Sequence, residues 1–104
     1  MKRTKRRYLA LQLEPQKMPR EREFIDAIWG AITKLYGEVG ASLSGLVLIN
    51  FDGERRIFVI RVSLASLPSV RASLASVTSV AGESASVHVL AVSGTLKALY
   101  ANID

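Results

Sequence analysis

The chain has 104 residues, of which 49% are hydrophobic and 22% charged, a composition that fits one folded domain with one modest core. It contains no cysteine and a single histidine, which excludes disulfides, thiol chemistry and histidine-rich metal sites and leaves only carboxylate sites open. No apolar run approaches the roughly 20 residues of a membrane-spanning helix, and polar residues interrupt the run behind the cationic start, so we expect no signal peptide and a cytoplasmic protein.

The net charge of +5 is concentrated at the N-terminus. The first seven residues include five cations, namely Lys2, Arg3, Lys5, Arg6 and Arg7. The other nine cations are balanced by nine acids. We therefore predict a flexible basic arm over residues 1–7 and a single domain over residues 8–104. Such arms bind polyanions, chiefly nucleic acids, by neutralising phosphates; a solvated terminus that only aids solubility is the alternative.

The first elements along the chain are a strand and a helix. Tyr8–Glu14 alternates and places its leucines on one face, which predicts a half-buried strand. The segment from Arg20 to about Glu38 carries apolar residues at three- and four-residue spacing, which predicts an amphipathic helix. Gly37 and Gly40 are predicted to end that helix.

Two aromatic residues, Trp29 and Tyr36, lie within the apolar stripe of the predicted helix. They are able to serve as a platform on which bases stack. Because aliphatic residues flank both at helical spacing, we interpret them as core residues instead.

A hairpin is predicted next, from strands Leu43–Phe51 and Arg55–Val62 around Asp52-Gly53. Asp-Gly between two β-branched runs favours a tight turn, because glycine supplies a positive φ without steric cost. Strict alternation would place Leu46 and Leu48 on one face of the first strand and Val47, Ile49 and Phe51 on the other. Both strands are apolar on both faces, which indicates a central position.

The second half of the chain repeats the order helix then strand. A helix is predicted to open at Ser66-Leu67-Pro68 and to end before Gly82. Its apolar stripe comprises Leu67, Val70, Leu74 and Val77. A strand follows over Ser84–Val92, with Val87, Val89 and Ala91 expected on one face. Ser93-Gly94-Thr95 is a break and a helix cap, and Leu96–Ile103 is the last predicted helix.

The element order β-α-β-β-α-β plus a terminal helix predicts an α+β fold. It is the ferredoxin-like, or RNA-recognition-motif-like, sandwich with a four-stranded antiparallel sheet and an extra C-terminal helix. Two helices would cover one sheet face. The other face is also apolar, so either the terminal helix or a protein partner is expected to cover it.

Candidate catalytic groups are few. Ser86 and His88 share a strand face, but no acid is placed by sequence to orient the histidine, so a nucleophilic triad is not predicted. Asn50 with an arginine leaves open a small hydrolase of acyl phosphates, although the chain lacks a Gly-rich loop to place them.

Three arginines of the hairpin are candidate phosphate ligands. Arg55, Arg56 and Arg61 are expected to bind RNA together with the arm and Lys97. The alternative is that they are solvated or paired with Asp52 or Glu54. The segment has no glycine and only one aromatic residue, so bases are not expected to stack on the sheet.

Several segments together resemble the ribonuclease P protein component 2 family of archaea and eukaryotes. They are Arg6-Arg7-Tyr8-Leu9, Leu35-Tyr36-Gly37-Glu38-Val39-Gly40-Ala41, Val47-Leu48-Ile49-Asn50-Phe51-Asp52, Ile60-Arg61-Val62 and Val92-Ser93-Gly94-Thr95-Leu96-Lys97. The similarity extends over nearly the whole chain. The serine-rich second helix departs from the more charged helices of that family, which affects any contact made by that helix.

The resemblance implies a non-catalytic subunit of the ribonuclease P holoenzyme, the endoribonuclease that matures the 5′ end of tRNA. The protein would bind and stabilise the catalytic RNA, which removes the leader from precursor tRNA with magnesium. It would hold no cofactor itself, contact precursor tRNA only indirectly, and pair with a TIM-barrel-like protein subunit in a heterotetramer. The expected RNA-binding residues are Lys2, Arg3, Lys5, Arg6, Arg7, Arg55, Arg56, Arg61 and Lys97. A ferredoxin-like regulatory or protein-interaction domain without RNA is the competing hypothesis.

Overall fold

The structure is a computed structural model that describes residues 5–15 and 17–103. Its elements are β1 Arg6–Pro15, α1 Glu21–Leu43, β2 Val47–Asp52, β3 Ile57–Ser63, α2 Leu67–Ser76, β4 Ser79–Val80, β5 Glu83–Ser93 and α3 Leu96–Ile103. A single 3₁₀ turn, Leu64–Ser66, leads into α2. Within the described ranges, no helix is long and apolar enough to cross a membrane.

The strands form one antiparallel sheet of five strands in the order β2-β3-β1-β5-β4. The predicted number of four strands is wrong because β4 was missed. β4 has only two residues, and it pairs with the start of β5 through a tight turn at Ala81 and Gly82, whose φ angles are 53° and 82°. Two consecutive positive φ values suit a two-residue hairpin. Gly82 therefore makes this turn.

The predicted boundary between arm and domain is displaced. β1 begins at Arg6, which pairs with Ser63 of β3, and the Leu64 amide donates to the Lys5 carbonyl at 2.8 Å. The backbone of Arg6 and Arg7 therefore belongs to the sheet, because the end of β3 offers it ladder partners. Lys2 and Arg3, the other predicted arm cations, lie outside the described residues.

One sheet face, called here the covered face, packs against α1 and α2. The alternating leucines of β1 are buried there, as predicted, together with the stripe Phe58, Ile60 and Val62 of β3. Phe58 stacks between Phe24 of α1 and Phe51 of β2, with ring centroids 3.8 and 4.3 Å away. Val70 and Leu74 supply the buried side of α2.

Two bulges alter the predicted strand faces. In β2 the pairing shifts between Leu48 and Asn50, and in β5 it skips Leu90. A bulge adds one residue to one strand, so every later side chain changes face. Phe51 therefore joins Leu46 and Leu48 on the covered face, and Val92 joins Val87 and Val89 there. Ile49 and Ala91 lie on the opposite face.

Helix α1 does not end at its glycines. It bends at Gly37, whose φ of 76° and ψ of 176° are not helical, and continues to Leu43. That combination of angles is open essentially to glycine alone. Leu43 was predicted to begin a strand, but it ends the helix, since the chain resumes its helical course after Gly37.

The hairpin is confirmed, but the predicted role of Gly53 is wrong. Asp52 pairs with Ile57, and the residue with positive φ in the intervening loop is Arg56, at 57°. The Asp52 Oδ1 atom accepts hydrogen bonds from the amides of Glu54 and Arg55 at 3.1 and 3.2 Å. The aspartate side chain therefore organises a four-residue loop in place of a tight turn.

The opposite face, called here the α3 face, is covered by the terminal helix. Leu99 is fully buried against Ala10, Ile57 and Val59. Thr95 caps α3, as predicted, with its Oγ1 accepting from the Ala98 amide at 3.2 Å. Of the two coverings expected from sequence, the structure therefore shows the helix.

Candidate nucleic-acid interface

The predicted RNA-binding residues fall into two groups, one at each end of the sheet. Arg6 pairs with Ser63, and Arg61 pairs with Tyr8 on the neighbouring strand. Directly paired residues of antiparallel strands point to the same face, so Arg6 and Arg61 are diagonal neighbours on the α3 face. The Cα atoms of such neighbours are about 7–8 Å apart. The sheet thus brings together two arginines that are far apart in sequence.

Arg7 of β1 and Lys97 of α3 lie at the same end of the sheet, beside the β5–α3 turn. The Arg7 guanidinium lies beside Gly94, with its Nη1 atom 3.5 Å from the position that a Cβ would take there. The same Nη1 donates to the Arg6 carbonyl at 2.9 Å. Lys97 is exposed in the first turn of α3. We call Lys5, Arg6, Arg7, Arg61 and Lys97 the basic end.

Arg55 and Arg56 lie at the other end of the sheet, in the β2–β3 loop. Arg56 precedes β3 and Ser63 is the seventh and last residue of that strand, which corresponds to about 20 Å. Arg55 donates to the carbonyl of Ile103 and so ties the loop to the C-terminus of α3. The structure therefore does not bring these two arginines together with the basic end.

Acidic residues of the sheet lie away from the basic end. Those on the described strands and hairpin loops are Glu14, Asp52, Glu54 and Glu83. Glu14 lies one residue before the end of β1, and Glu83 begins β5. Asp52 ends β2 and Glu54 lies in the β2–β3 loop, so all four occupy the end that carries Arg55 and Arg56. Charge is thus segregated along the strands of the sheet, with the arginines of β1 and β3 at one end and the acids at the other.

An open cavity of about 540 Å³ lies at the basic end. Its lining includes Arg6, Trp29, Leu43, Val47, Arg61 and Ser63, and none of its described lining residues is acidic. Arg61 has a buried Nε atom that lacks a hydrogen-bond partner among the described residues.

Trp29 corrects the sequence interpretation. Its side chain is 42% exposed and that of Tyr36 is 44% exposed, so neither is a core residue. The buried stripe of α1 is Phe24, Ile28 and Ile32, and Trp29 lies one residue beyond it. Sequence spacing did not distinguish Trp29 from the buried residues, because the edge of a wide apolar stripe cannot be located from the residue pattern. The strict four-residue spacing of the three buried residues was the signal available.

The serine–histidine pair has no catalytic arrangement. Ser86 Oγ lies 3.3 Å and Glu14 Oε2 lies 3.8 Å from His88, and both face the same ring nitrogen, Nε2. In a catalytic triad, the acid contacts one ring nitrogen of the histidine and the nucleophile contacts the other. The side chains of His88 and Glu14 are 54% and 66% exposed. Among the described residues, no three side chains of histidine, cysteine, aspartate or glutamate cluster.

Asn50, the other catalytic candidate, takes part in docking α3. Its Nδ2 atom donates to the Tyr100 hydroxyl at 3.4 Å. It lines a small cavity of about 160 Å³ with Arg55 and Ile103, and Arg55 already donates to the Ile103 carbonyl there. This contact explains both side chains as links between the hairpin and the last helix.

Together these features define a small α+β domain with a five-stranded sheet and a basic sheet end. The model of the Rpp14/Pop5 family matches residues 7–103. The chain is 34% identical over 97 residues to Ribonuclease P protein component 2 of Pyrococcus furiosus, covering 93% of this chain and 81% of that protein. The chain belongs to the Rpp14/Pop5 family, and the resemblance described from its sequence is confirmed.

The fold is also similar to a chain in the cryo-EM structure of yeast ribonuclease MRP. The TM-score is 0.73, with 92% of this chain and 79% of that chain covered. Sequence identity is 16%, so this likeness concerns the fold.

Proposed function

We propose that the chain is a protein subunit of ribonuclease P that binds and stabilises the catalytic RNA, which removes the 5′ leader from precursor tRNA. The observation that carries this proposal is family membership over residues 7–103, with a relative named Ribonuclease P protein component 2. The chain enters the endoribonuclease as a non-catalytic subunit. The His88 geometry agrees with this, since serine and glutamate both approach one ring nitrogen.

The basic end is the proposed RNA-binding surface. Arg6 and Arg61 are diagonal neighbours, and Arg7 of β1 and Lys97 of α3 lie beside the β5–α3 turn. The acids of the sheet lie at the other end, so the strands present only cationic side chains to phosphates here. Arg55 and Arg56 are a separate, second contact. Lys2 and Arg3 are proposed to extend the surface at the N-terminus.

A protein partner is proposed for the exposed apolar side chains of α1. Val39 and Leu43 are 73% and 67% exposed, and Leu35 and Tyr36 are exposed beside the Gly37 bend. Apolar groups gathered in this way are typical of protein interfaces. The proposed partner is the TIM-barrel-like subunit of ribonuclease P, in a heterotetramer.

Two finer assignments complete the proposal. Without β4, the strand order β2-β3-β1-β5 supports classing the domain as ferredoxin-like, with β4 and α3 as additions. Magnesium acts through the RNA in this proposal, and the protein holds no cofactor. The proposed compartment is the cytoplasm.

The test is reconstitution of leader removal. The protein and its barrel-like partner are mixed with a ribonuclease P RNA at limiting magnesium, and cleavage of a precursor tRNA is followed. We expect cleavage to be faster with both proteins than with the RNA alone or with either protein singly. The matched controls are these three incomplete mixtures.

Absence of stimulation, with no protection of the RNA against nuclease, would contradict the proposal. The competing hypothesis of a regulatory or scaffolding domain predicts that result. It also predicts a stable homo-oligomer that purifies without RNA, which size-exclusion chromatography with absorbance detection at two wavelengths would reveal.

A further inference from the structure

The cavity at the basic end contains an unsatisfied donor. The Nε atom of Arg61 is buried and has no acceptor among the described residues, although Arg61 lies in the middle of β3. Buried donors are nearly always paired in native proteins, so this one points to an acceptor outside the described residues. Arg6, its diagonal neighbour, is exposed and also lines the cavity.

Two arginines about 7–8 Å apart are suited to a phosphate. A guanidinium donates through a planar fork to anionic oxygens, and no carboxylate among the described lining residues competes for it. A phosphate placed between Arg6 and Arg61 would satisfy the buried Nε atom.

The lining also includes one aromatic and several aliphatic side chains, beside Gly45 and the polar Ser42 and Ser63. Trp29 lines the same cavity with part of its indole exposed, together with Leu43 and Val47. A phosphate makes no favourable contact with aromatic or aliphatic side chains, whereas a nucleobase stacks on aromatic side chains. The cavity volume of about 540 Å³ is also larger than a phosphate requires.

We infer that this cavity is a binding site for one unpaired nucleotide of an RNA, with its phosphate between Arg6 and Arg61 and its base against Trp29. The inference rests on the proposed function and adds to it a base contact away from the central strands of the sheet. It assigns Trp29 a role in binding, and it distinguishes the paired arginines of the cavity from the remaining basic residues.

Trp29 is the one tryptophan of the sequence, so all tryptophan emission comes from a side chain that lines this cavity. The full chain is titrated at low salt with a single-stranded oligoadenylate of about ten nucleotides, a length within the site sizes of single-strand binding domains. Tryptophan emission and the anisotropy of an end-labelled copy of the oligonucleotide are measured in parallel. We expect emission to be quenched over the same concentration range in which anisotropy rises.

Variants separate the cavity from general charge. Arg6→Gln and Arg61→Gln are each expected to weaken binding roughly tenfold, as expected for loss of one charge-assisted hydrogen-bond partner. Each should also reduce the slope of log affinity against log salt by about 0.7. Arg71→Gln, at an exposed site on α2, removes the same charge and is expected to change affinity less than twofold. Because Arg6 is exposed, its variant tests the site independently of the partly buried Arg61.

Long-chain polyphosphate is the probe without bases. We expect it to bind the wild-type chain and leave the tryptophan emission unchanged. Equal quenching by polyphosphate would overturn the base contact. A rise in anisotropy with constant emission, equal losses in the Arg6, Arg61 and Arg71 variants, or no binding of oligoadenylate would overturn the site. None of these results bears on leader cleavage, which tests the proposed function separately.

Discussion

The two faces of the sheet are protected to different degrees. Among the described residues, fourteen buried side chains form the cluster of the covered face, and four form that of the α3 face. Two helices pack on the first face and one helix of eight residues packs on the second. The first face therefore supplies most of the stability, since burial of apolar area is the main stabilising contribution.

The difference has a functional consequence. α3 leaves part of its face open, and that part carries Arg6 and Arg61 at the basic end. A fully covered face has no place for a phosphate. In the proposed function, the thin cover of the α3 face leaves the sheet free to present charge to RNA. The first two predictions below compare the two faces, and the third concerns the bend in α1.

The largest expected effect is in the core of the covered face. Phe58→Ala removes the ring that stacks between Phe24 and Phe51 and leaves a cavity. We expect the free energy of unfolding to fall by about 3–5 kcal/mol, measured by chemical denaturation. Phe58→Leu is the control and should lose less. A loss below about 1 kcal/mol for the alanine variant would show that this face does not dominate stability.

A smaller loss is expected on the α3 face. Leu99→Ala truncates the one fully buried side chain of α3. We expect a loss of about 2–3 kcal/mol, at the lower end for leucine because the thin layer collapses more readily. Hydrogen exchange should show α3 amides opening before those of α1. The exposed Asn102→Ala serves as control, and equal effects of the two variants would contradict the docking of α3.

The smallest expected effect concerns the bend that exposes the apolar residues of α1. Gly37→Ala should cost about 1–3 kcal/mol, because φ 76° and ψ 176° are unfavourable for alanine although the space around Gly37 is open. Gly30→Ala, also in open space but in regular helix, should stabilise by up to about 1 kcal/mol. Thermal unfolding of the pair measures the difference. Equal midpoints would mean that α1 does not require a bend at Gly37.

Much of the fold was accessible from sequence because it depends on local pattern. The alternation of β1, the hairpin and the limits of α3 were predicted from residues that interact with near neighbours. The errors concern features that pairing decides. The bulges at Ile49 and Leu90 move Phe51 and Val92 to the covered face, and no period in the sequence marks an inserted residue.

The candidate site was also only partly predictable from local sequence pattern. Arg61 was predicted as an RNA ligand from the family resemblance, and that role remains a prediction. The residues that line the cavity with Arg61 were not predictable from sequence. Arg6 and Trp29 lie at the same cavity only because of the β1–β3 register and the position of α1. Trp29 was assigned to the core because hydrophobic spacing alone does not tell a buried ring from one at the border of the stripe.

The account assigns RNA binding to the basic end and stability to the covered face, and its most direct test uses one double variant. Arg6→Gln combined with Arg61→Gln is assembled with the partner protein and ribonuclease P RNA, and leader cleavage at limiting magnesium is compared with wild type, with the unfolding midpoint measured in parallel. The account predicts slower cleavage and an unchanged midpoint, because the basic end contacts RNA while the covered face holds the fold. Wild-type cleavage by the double variant would contradict it.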